Sequence, residues 1–295
     1  MEKATQDKLQ RLEFKLAPVY FLAPAFIFFS LFVIWPILQS FWISFHEWSG
    51  FGEKTWVGLE NYRTLFRDPK FHIALFNNIK WFVFSLLAPV FGLILALFLN
   101  QNIKGLRTMK SLFFFPFVIN LVVIGLIFSW FYNPDLGLLA EIFKAFGLKP
   151  IPVLANDKIA TYGIILASLW PQTAYCMILF LTGLTAVNVQ VIEAGRIDGA
   201  GGWKMLRHVV LPQLSGATFI AIVVTIIGSL RSFDLIAIMT AGGPWGSTNV
   251  LAYMMYDESL FNFKMGYGAS ISVVLFVLMS GVIAMFLRSV LKNER

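Results

Sequence analysis

The chain has 295 residues, 58% of them hydrophobic and only 13% charged, with a mean hydropathy of +0.75. A soluble domain is nearer half apolar and a quarter charged, so a water-facing globule is excluded and the bilayer is the natural solvent. The net charge of +7 belongs to short loops between apolar runs, and the 31 phenylalanines suit lipid-facing and packed helix surfaces; both argue against nucleic acid as a partner and for the positive-inside rule.

A spanning helix needs roughly 20 mostly apolar residues, and about six runs reach that length. They are 16–41, 79–99, 111–131, 159–184, 215–239 and 267–287. The first follows Lys3, Lys8, Arg11 and Lys15. It exceeds the ~7–15-residue core of a signal peptide, so it reads as an uncleaved spanning helix. Pro24, Pro36, Pro89, Pro116 and Pro171 interrupt these runs. Inside a bundle such prolines kink a helix rather than abolish it. The expectation is an all-α integral membrane protein, with 1–15 an N-terminal cytoplasmic segment and 16–295 the transmembrane domain.

Orientation follows from the basic residues of the loops. One side collects the N-terminal cluster, then Lys104, Arg107 and Lys110, then Arg196, Lys204 and Arg207, and finally Arg288, Lys292 and Arg295. These segments are short and dense in charge. That side reads as cytoplasmic, with both termini on it. Three longer connections, 46–78, 133–158 and 240–266, fall on the other side and are rich in Gly, Pro and Trp. They read either as a docking surface or as caps on the bundle.

No residues carry catalysis. Paired carboxylates, His-x-x-x-His and Ser/His arrangements are missing from the spans, and no GxxxxGK[ST] occurs anywhere, so any use of ATP belongs to a partner. The single cysteine, Cys176, makes no intrachain disulfide, and His46, His72 and His208 share no motif with it, so no metal site is indicated. A self-sufficient secondary transporter would need intramembrane acids or histidines, and Asp234 alone is thin support for one.

The loop 185–212 is polar and small-residue-rich between two apolar runs. Glu193, Ala194 and Ile197 stand at helical spacing. Gly199, Ala200, Gly201 and Gly202 allow a tight turn and a close approach. A second short helix with Trp203, Leu206, Val209 and Val210 leads to Leu211-Pro212, where the proline suits the first turn of the next span. Spacing alone would also fit an interfacial helix pair resting on headgroups.

This loop resembles the signature loop of bacterial ABC importer permeases: Glu-Ala-Ala, three residues, Gly, nine residues, Ile, one residue, Leu-Pro. Glu193, Ala194, Gly199, Leu211 and Pro212 match, and the departures are Gly195 for alanine and Val209 for isoleucine. Phe115-Pro116, Trp130, Asn133-Pro134-Asp135-Leu136-Gly137, Phe233-Asp234, Thr240-Ala241-Gly242-Gly243-Pro244 and Asn262-Phe263-Lys264-Met265-Gly266-Tyr267-Gly268 are similar to the carbohydrate-type branch, with its maltose and glycerol-phosphate permeases.

The resemblance implies a type I importer permease in the bacterial inner membrane. It implies a second, related permease subunit, two ATPase subunits and an external or periplasmic solute-binding protein. The chain itself would bind no cofactor; ATP and magnesium would sit on the ATPases. Glu193 would make a charged contact to an ATPase, with Ala194, Gly195, Asp198, Gly199, Ala200, Leu211 and Pro212 completing the coupling loop. The departures at 195 and 209 would weaken the first coupling helix slightly.

Polar side chains within spans tend to face a cavity or another helix. Ser168, Gln172 and Tyr175 stand at i, i+4, i+7 in the fourth span, and Thr225, Ser229 and Ser232 repeat that spacing in the fifth. Helix–helix contact explains such hydroxyls equally well. In maltose-type permeases the sugar lies midway through the membrane against the two spans flanking the coupling loop. The resemblance therefore implies substrate contacts at Ser168, Gln172, Tyr175, Thr225, Gly228, Ser229 and Ser232, with Trp170 and Phe233 as stacking surface. Arg231 and Asp234, three apart on one expected helix, read as a local ion pair; alternatively, Arg231 answers an anionic substrate.

Overall fold

The computed structural model describes residues 17–101 and 104–293. Segment 1–15, with Lys3, Lys8, Arg11 and Lys15, and Arg295 lie outside the described residues. The first run is a single helix, α1 (Ala17–Ile43). A π turn at Ser30–Ile34 sits just before Pro36, where the missing N–H would otherwise interrupt a regular ladder. Phe21, Phe28 and Phe32 of α1 are exposed, as lipid-facing side chains are.

The described residues fall into two compact units. The first runs up to Leu65 and includes Asp257–Val273; the second is Phe66–Tyr256 with the residues from Val274 onward. In the first unit a short antiparallel hairpin pairs β1 (His46–Glu47) with β2 (Thr55–Trp56) in the register His46↔Trp56. Asn61, in α2 (Glu60–Arg67), donates from Nδ2 to the carbonyls of Ser44 and His46, both at 2.9 Å. These bonds hold the hairpin against the end of α1.

The second unit holds the remaining helices in chain order: α3 (Pro69–Ser85), α4 (Leu87–Leu99), α5 (Leu106–Val118), α6 (Leu121–Phe131), α7 (Leu138–Ala145), α8 (Ala160–Thr185), α9 (Val189–Ile197), α10 (Gly202–Gln213), α11 (Ser215–Leu230), α12 (Asp234–Met239) and α13 (Leu251–Tyr256). The last helix, α14 (Met265–Asn293), begins in the first unit and continues in the second. The buried core centres on α8, against which α4, α5 and α11 pack.

Three spans depart from the sequence expectation. The second begins at Pro69 rather than 79, so Pro69–Leu99 covers 31 residues. Asp68 caps it, its carboxylate accepting from the Lys70 N–H at 2.8 Å. The run looked shorter because Lys70, His72, Asn77 and Asn78 dilute its beginning. Pro89 has no N–H for the Ser85 carbonyl, and the helix breaks at Leu86 between α3 and α4.

The third span is not one helix: α5 and α6 meet at 98°. The bend lies at Ile119–Asn120 rather than at Pro116, which α5 accommodates. Ile119 is extended, and the Asn120 side chain starts α6 by accepting from the Val122 N–H at 2.8 Å. The fifth span stops at Leu230 rather than 239. The Ser232 hydroxyl donates back to the Ser229 carbonyl at 2.9 Å and closes the end of α11. Pro212 likewise does not open the fifth span. It belongs to α10, and the chain turns by 78° at Leu214 before α11.

Asn77 and Asn78 fix the outer connection 240–250. Asn77 donates to the carbonyls of Ser247 (2.6 Å) and Asn249 (2.8 Å). Asn78 donates to the Leu230 carbonyl at the end of α11 (3.4 Å) and accepts from the Leu251 N–H at the start of α13 (2.9 Å). It thereby satisfies one open backbone group at each of two helix ends. Asn78→Ala leaves both groups unpaired at a buried position. It is expected to cost roughly 2–3 kcal/mol, measured as a lowered thermal midpoint of the purified protein in detergent.

Candidate functional site

The polar stripes of α8 and α11 converge on a cavity of about 260 Å³. Its walls include Ser168 and Gln172 from α8, Thr225, Gly228 and Ser229 from α11, and Ser232 just beyond. Six of the seven expected substrate residues are thus brought together. Tyr175 is the exception: its ring centroid lies 5.1 Å from that of Phe117, a wall residue, and Tyr175 itself does not line the cavity. Of the two expected stacking residues, Phe233 lines the cavity. Trp170 lines a separate apolar cavity of about 810 Å³, with Phe128 at 5.9 Å. Trp170, two residues from both Ser168 and Gln172, lies on the opposite face of α8.

Gln172 links the two stripes: its Nε2 donates to the Thr225 hydroxyl at 3.1 Å. Thr225 and Ser229 are almost fully buried. Both helix interruptions missed in the sequence open onto this cavity. Ile119 and Leu121 bracket the α5–α6 bend, and Arg231, Ser232 and Phe233 fill the gap between α11 and α12. Irregular backbone at membrane depth is tolerated where it lines a cavity. The signal was a polar residue inside an apolar run, Asn120 in one case and Arg231 in the other.

Arg231 and Asp234 do not share a helix. Arg231 follows the last residue of α11, Asp234 opens α12, and no ion pair joins them. The non-helical backbone at Phe233, with φ −139° and ψ −55°, takes them out of helical register. Both are exposed and both line the cavity. Trp81 and Ser85 of α3 also line it, and neither stood out in the sequence because a lone tryptophan and serine in an apolar run read as packing.

The loop between α8 and α11 folds as two short helices. Asn188 caps α9 by accepting from the Gln190 N–H at 2.9 Å. Asp198 follows its last turn. Gly199 then takes a left-handed conformation, φ +77°. Its N–H donates to the Arg196 carbonyl (3.1 Å), and the Ala200 N–H donates to the Gly195 carbonyl (2.8 Å), a Schellman stop. Glu193 and Ala194 stand exposed on α9; Leu211 and Pro212 lie in the last turn of α10.

The two departures from the family pattern face each other. A Cβ on Gly195 would lie 3.2 Å from Val209 Cγ2 and 3.3 Å from Met205 Cε. The smaller residue at 195 leaves room for Val209 and Met205 of α10 against α9. Gln213 completes the unit: its Oε1 accepts from the Asn188 N–H at 2.9 Å and its Nε2 donates to the Val209 carbonyl at 3.0 Å. The two ends of the loop are therefore tied together where α8 ends and α11 begins. Ile197 and Trp203 project from this unit, 86% and 68% exposed, as a docking surface would require.

Elsewhere, each histidine sets Nδ1 against the carbonyl four residues earlier: His46 on Trp42, His72 on Asp68 and His208 on Lys204. The Asn133 side chain accepts from the N–H groups of Asp135 and Leu136, so the Asn-Pro-Asp-Leu-Gly stretch is a turn after α6.

Residues 88–293 match the family model described as binding-protein-dependent transport system inner membrane component. The chain belongs to that family. Its permease relatives include the probable ABC transporter permease protein YurN of Bacillus subtilis, 36% identical over 90% of this chain and 92% of that protein. The trehalose/maltose transport system permease protein MalF of Thermococcus litoralis is 30% identical over 98% of each. A chain of a bacterial alginate ABC transporter, solved in complex with an alginate pentasaccharide-bound periplasmic protein, shares the fold. Its TM-score is 0.82 at 19% identity, over 95% of this chain and 96% of that one. The permease is therefore an inner-membrane transport component and not an enzyme, and the secondary-transporter alternative is set aside.

Proposed function

We propose that this permease forms half of the transmembrane path for a sugar or sugar-like solute, delivered by an external solute-binding protein and driven by separate ATPases. The observation that carries the reading is the hydroxyl-lined cavity between α8 and α11, the two spans joined by the α9–α10 loop. A sugar offers hydroxyl edges and apolar C–H faces, and Ser168, Gln172, Thr225, Ser229, Ser232 and Phe233 match both. The sugars and the alginate oligosaccharide named for the relative and the solved neighbour support the same class.

Two ATPase subunits, carrying ATP and magnesium, would grip the α9–α10 unit through Ile197, Trp203 and Glu193. Because Asn188 and Gln213 tie its ends, a push on the loop reaches α8 and α11 together. A second, related permease completes the path. The dense basic segments around Arg107, Arg196, Arg207 and Arg288 support placing that loop and both termini in the cytoplasm.

Arg231, free of Asp234 at the cavity, answers an anionic group on the solute. Arg231→Ala is expected to slow uptake of acidic sugars about tenfold and to spare neutral ones, measured in proteoliposomes holding the complete complex. Equal loss for both classes refutes charge recognition at this position.

A further inference from the structure

The cavity hydroxyls of Ser168, Ser229 and Ser232 have their hydrogens committed within the protein. Ser168 donates to the Ile165 carbonyl (2.6 Å), Ser229 to Ile226 (2.8 Å) and Ser232 to Ser229 (2.9 Å). The Thr225 oxygen takes the Gln172 amide hydrogen at 3.1 Å and lies 3.7 Å from Cys176 Sγ. These walls offer a solute mainly lone pairs. A sugar hydroxyl both donates and accepts, so a polyol site also needs donors.

Beyond Arg231, the second hydrogen of the Gln172 amide and the Thr225 hydroxyl, side-chain donors at the cavity lie on α3. Trp81 is only 3% exposed and forms part of the cavity wall, yet its indole N–H meets no acceptor. Ser85, one turn on and on the same face, is 5% exposed, and its hydroxyl holds no hydrogen bond among the described residues. A buried donor without an acceptor is rare in folded proteins and costlier still where no bulk water reaches. Within the described residues no acceptor meets that nitrogen.

We propose that Trp81, seconded by Ser85, is the donor side of the solute site. The indole N–H gives its hydrogen to a hydroxyl or ether oxygen of the solute as the cavity reshapes around it. Solute hydroxyls in turn donate to Ser168, Ser229 and Ser232. The inference rests on the cavity being the sugar path.

The test uses the complete complex in proteoliposomes, with labelled maltose, trehalose and glycerol 3-phosphate as probes. Whichever probe the unaltered complex moves is then compared with its monodeoxy derivatives. Trp81→Phe keeps an aromatic side chain, smaller by one ring, and removes the donor. It is expected to slow maximal uptake roughly five- to tenfold, and one monodeoxy derivative that penalises the unaltered complex should carry no further penalty in the variant. A merely structural role would slow parent and derivatives alike.

Gln172→Ala separates the two levels. Impaired uptake in Gln172→Ala, with every monodeoxy penalty retained in Trp81→Phe, overturns the indole contact and leaves the cavity standing. Unaltered rates in both variants overturn the cavity and the inference with it, as does the absence of uptake of all three probes by the unaltered complex.

Discussion

Gly92→Val is expected to abolish uptake and to lower the thermal midpoint of the purified protein more than any substitution in the cavity. Gly92 lies where α4 crosses α8. A Cβ there would stand 2.6 Å from Cys176 Cβ, 2.8 Å from the Met177 backbone nitrogen and 2.9 Å from the Cys176 carbonyl carbon. Two of these three are backbone atoms, so no rotamer change relieves the clash. The helices must separate, and overpacking of this kind costs about 1–3 kcal/mol or more. The displacement also passes straight to the cavity. Cys176 lies against Thr225, and Thr225 holds the Gln172 amide. Even alanine meets the same three atoms, so Gly92→Ala should show most of the loss. A variant of wild-type stability and uptake would mean that α4 and α8 do not approach as described.

Gly199→Val is expected to leave the permease inserted and assembled while ATP hydrolysis continues and uptake falls at least about tenfold. The Schellman stop of α9 requires the left-handed φ of +77° at this residue. A β-branched side chain there costs about 1–3 kcal/mol, which redirects α10 relative to α9. No atom outside the immediate chain lies within 4 Å of the position, so the bundle itself is untouched. Asparagine tolerates this conformation, so Gly199→Asn should retain most uptake. Normal uptake by the valine variant would sink the coupling assignment. Equal loss with asparagine would mean that the bare surface of glycine, rather than the turn, is what the ATPase needs.

How far the sequence carried the fold depended on how each helix ends. α1 and α8 are long, mostly apolar runs whose limits were legible to within two residues, whereas α14 runs on to Asn293, past the expected end at 287. The second span was cut short because Asn77 and Asn78 look like loop residues; in the structure the two asparagines bond the 240–250 connection from inside the helix. The third and fifth spans were read through their breaks: Asn120 is a lone amide in its stretch, and Arg231 follows a stripe of hydroxyls that helix packing also explains. Those single polar residues are cap and gap, and both gaps face the cavity. The helix–turn–helix shape of the 185–212 loop was legible because its residues act locally, through caps and a glycine turn, although Pro212 closes α10 rather than opening the next span. The tie between Asn188 and Gln213 was not, because it joins residues 25 apart.

The candidate site was half legible. Helical spacing placed the α8 and α11 stripes together, but it extended the stripe by one residue too many, to Tyr175. It gave no view of α3, whose Trp81 and Ser85 differ from packing residues only in having no bonding partner. The Arg231–Asp234 pairing failed because it assumed a continuous helix across the end of α11.

The most direct measurement is uptake of labelled sugar into proteoliposomes assembled with all components and then with each omitted in turn. Uptake should require ATP, the ATPase subunits, the second permease and the solute-binding protein together, and should vanish when any one is left out. Accumulation by this chain alone, driven by an ion gradient and indifferent to ATP, would contradict the assignment.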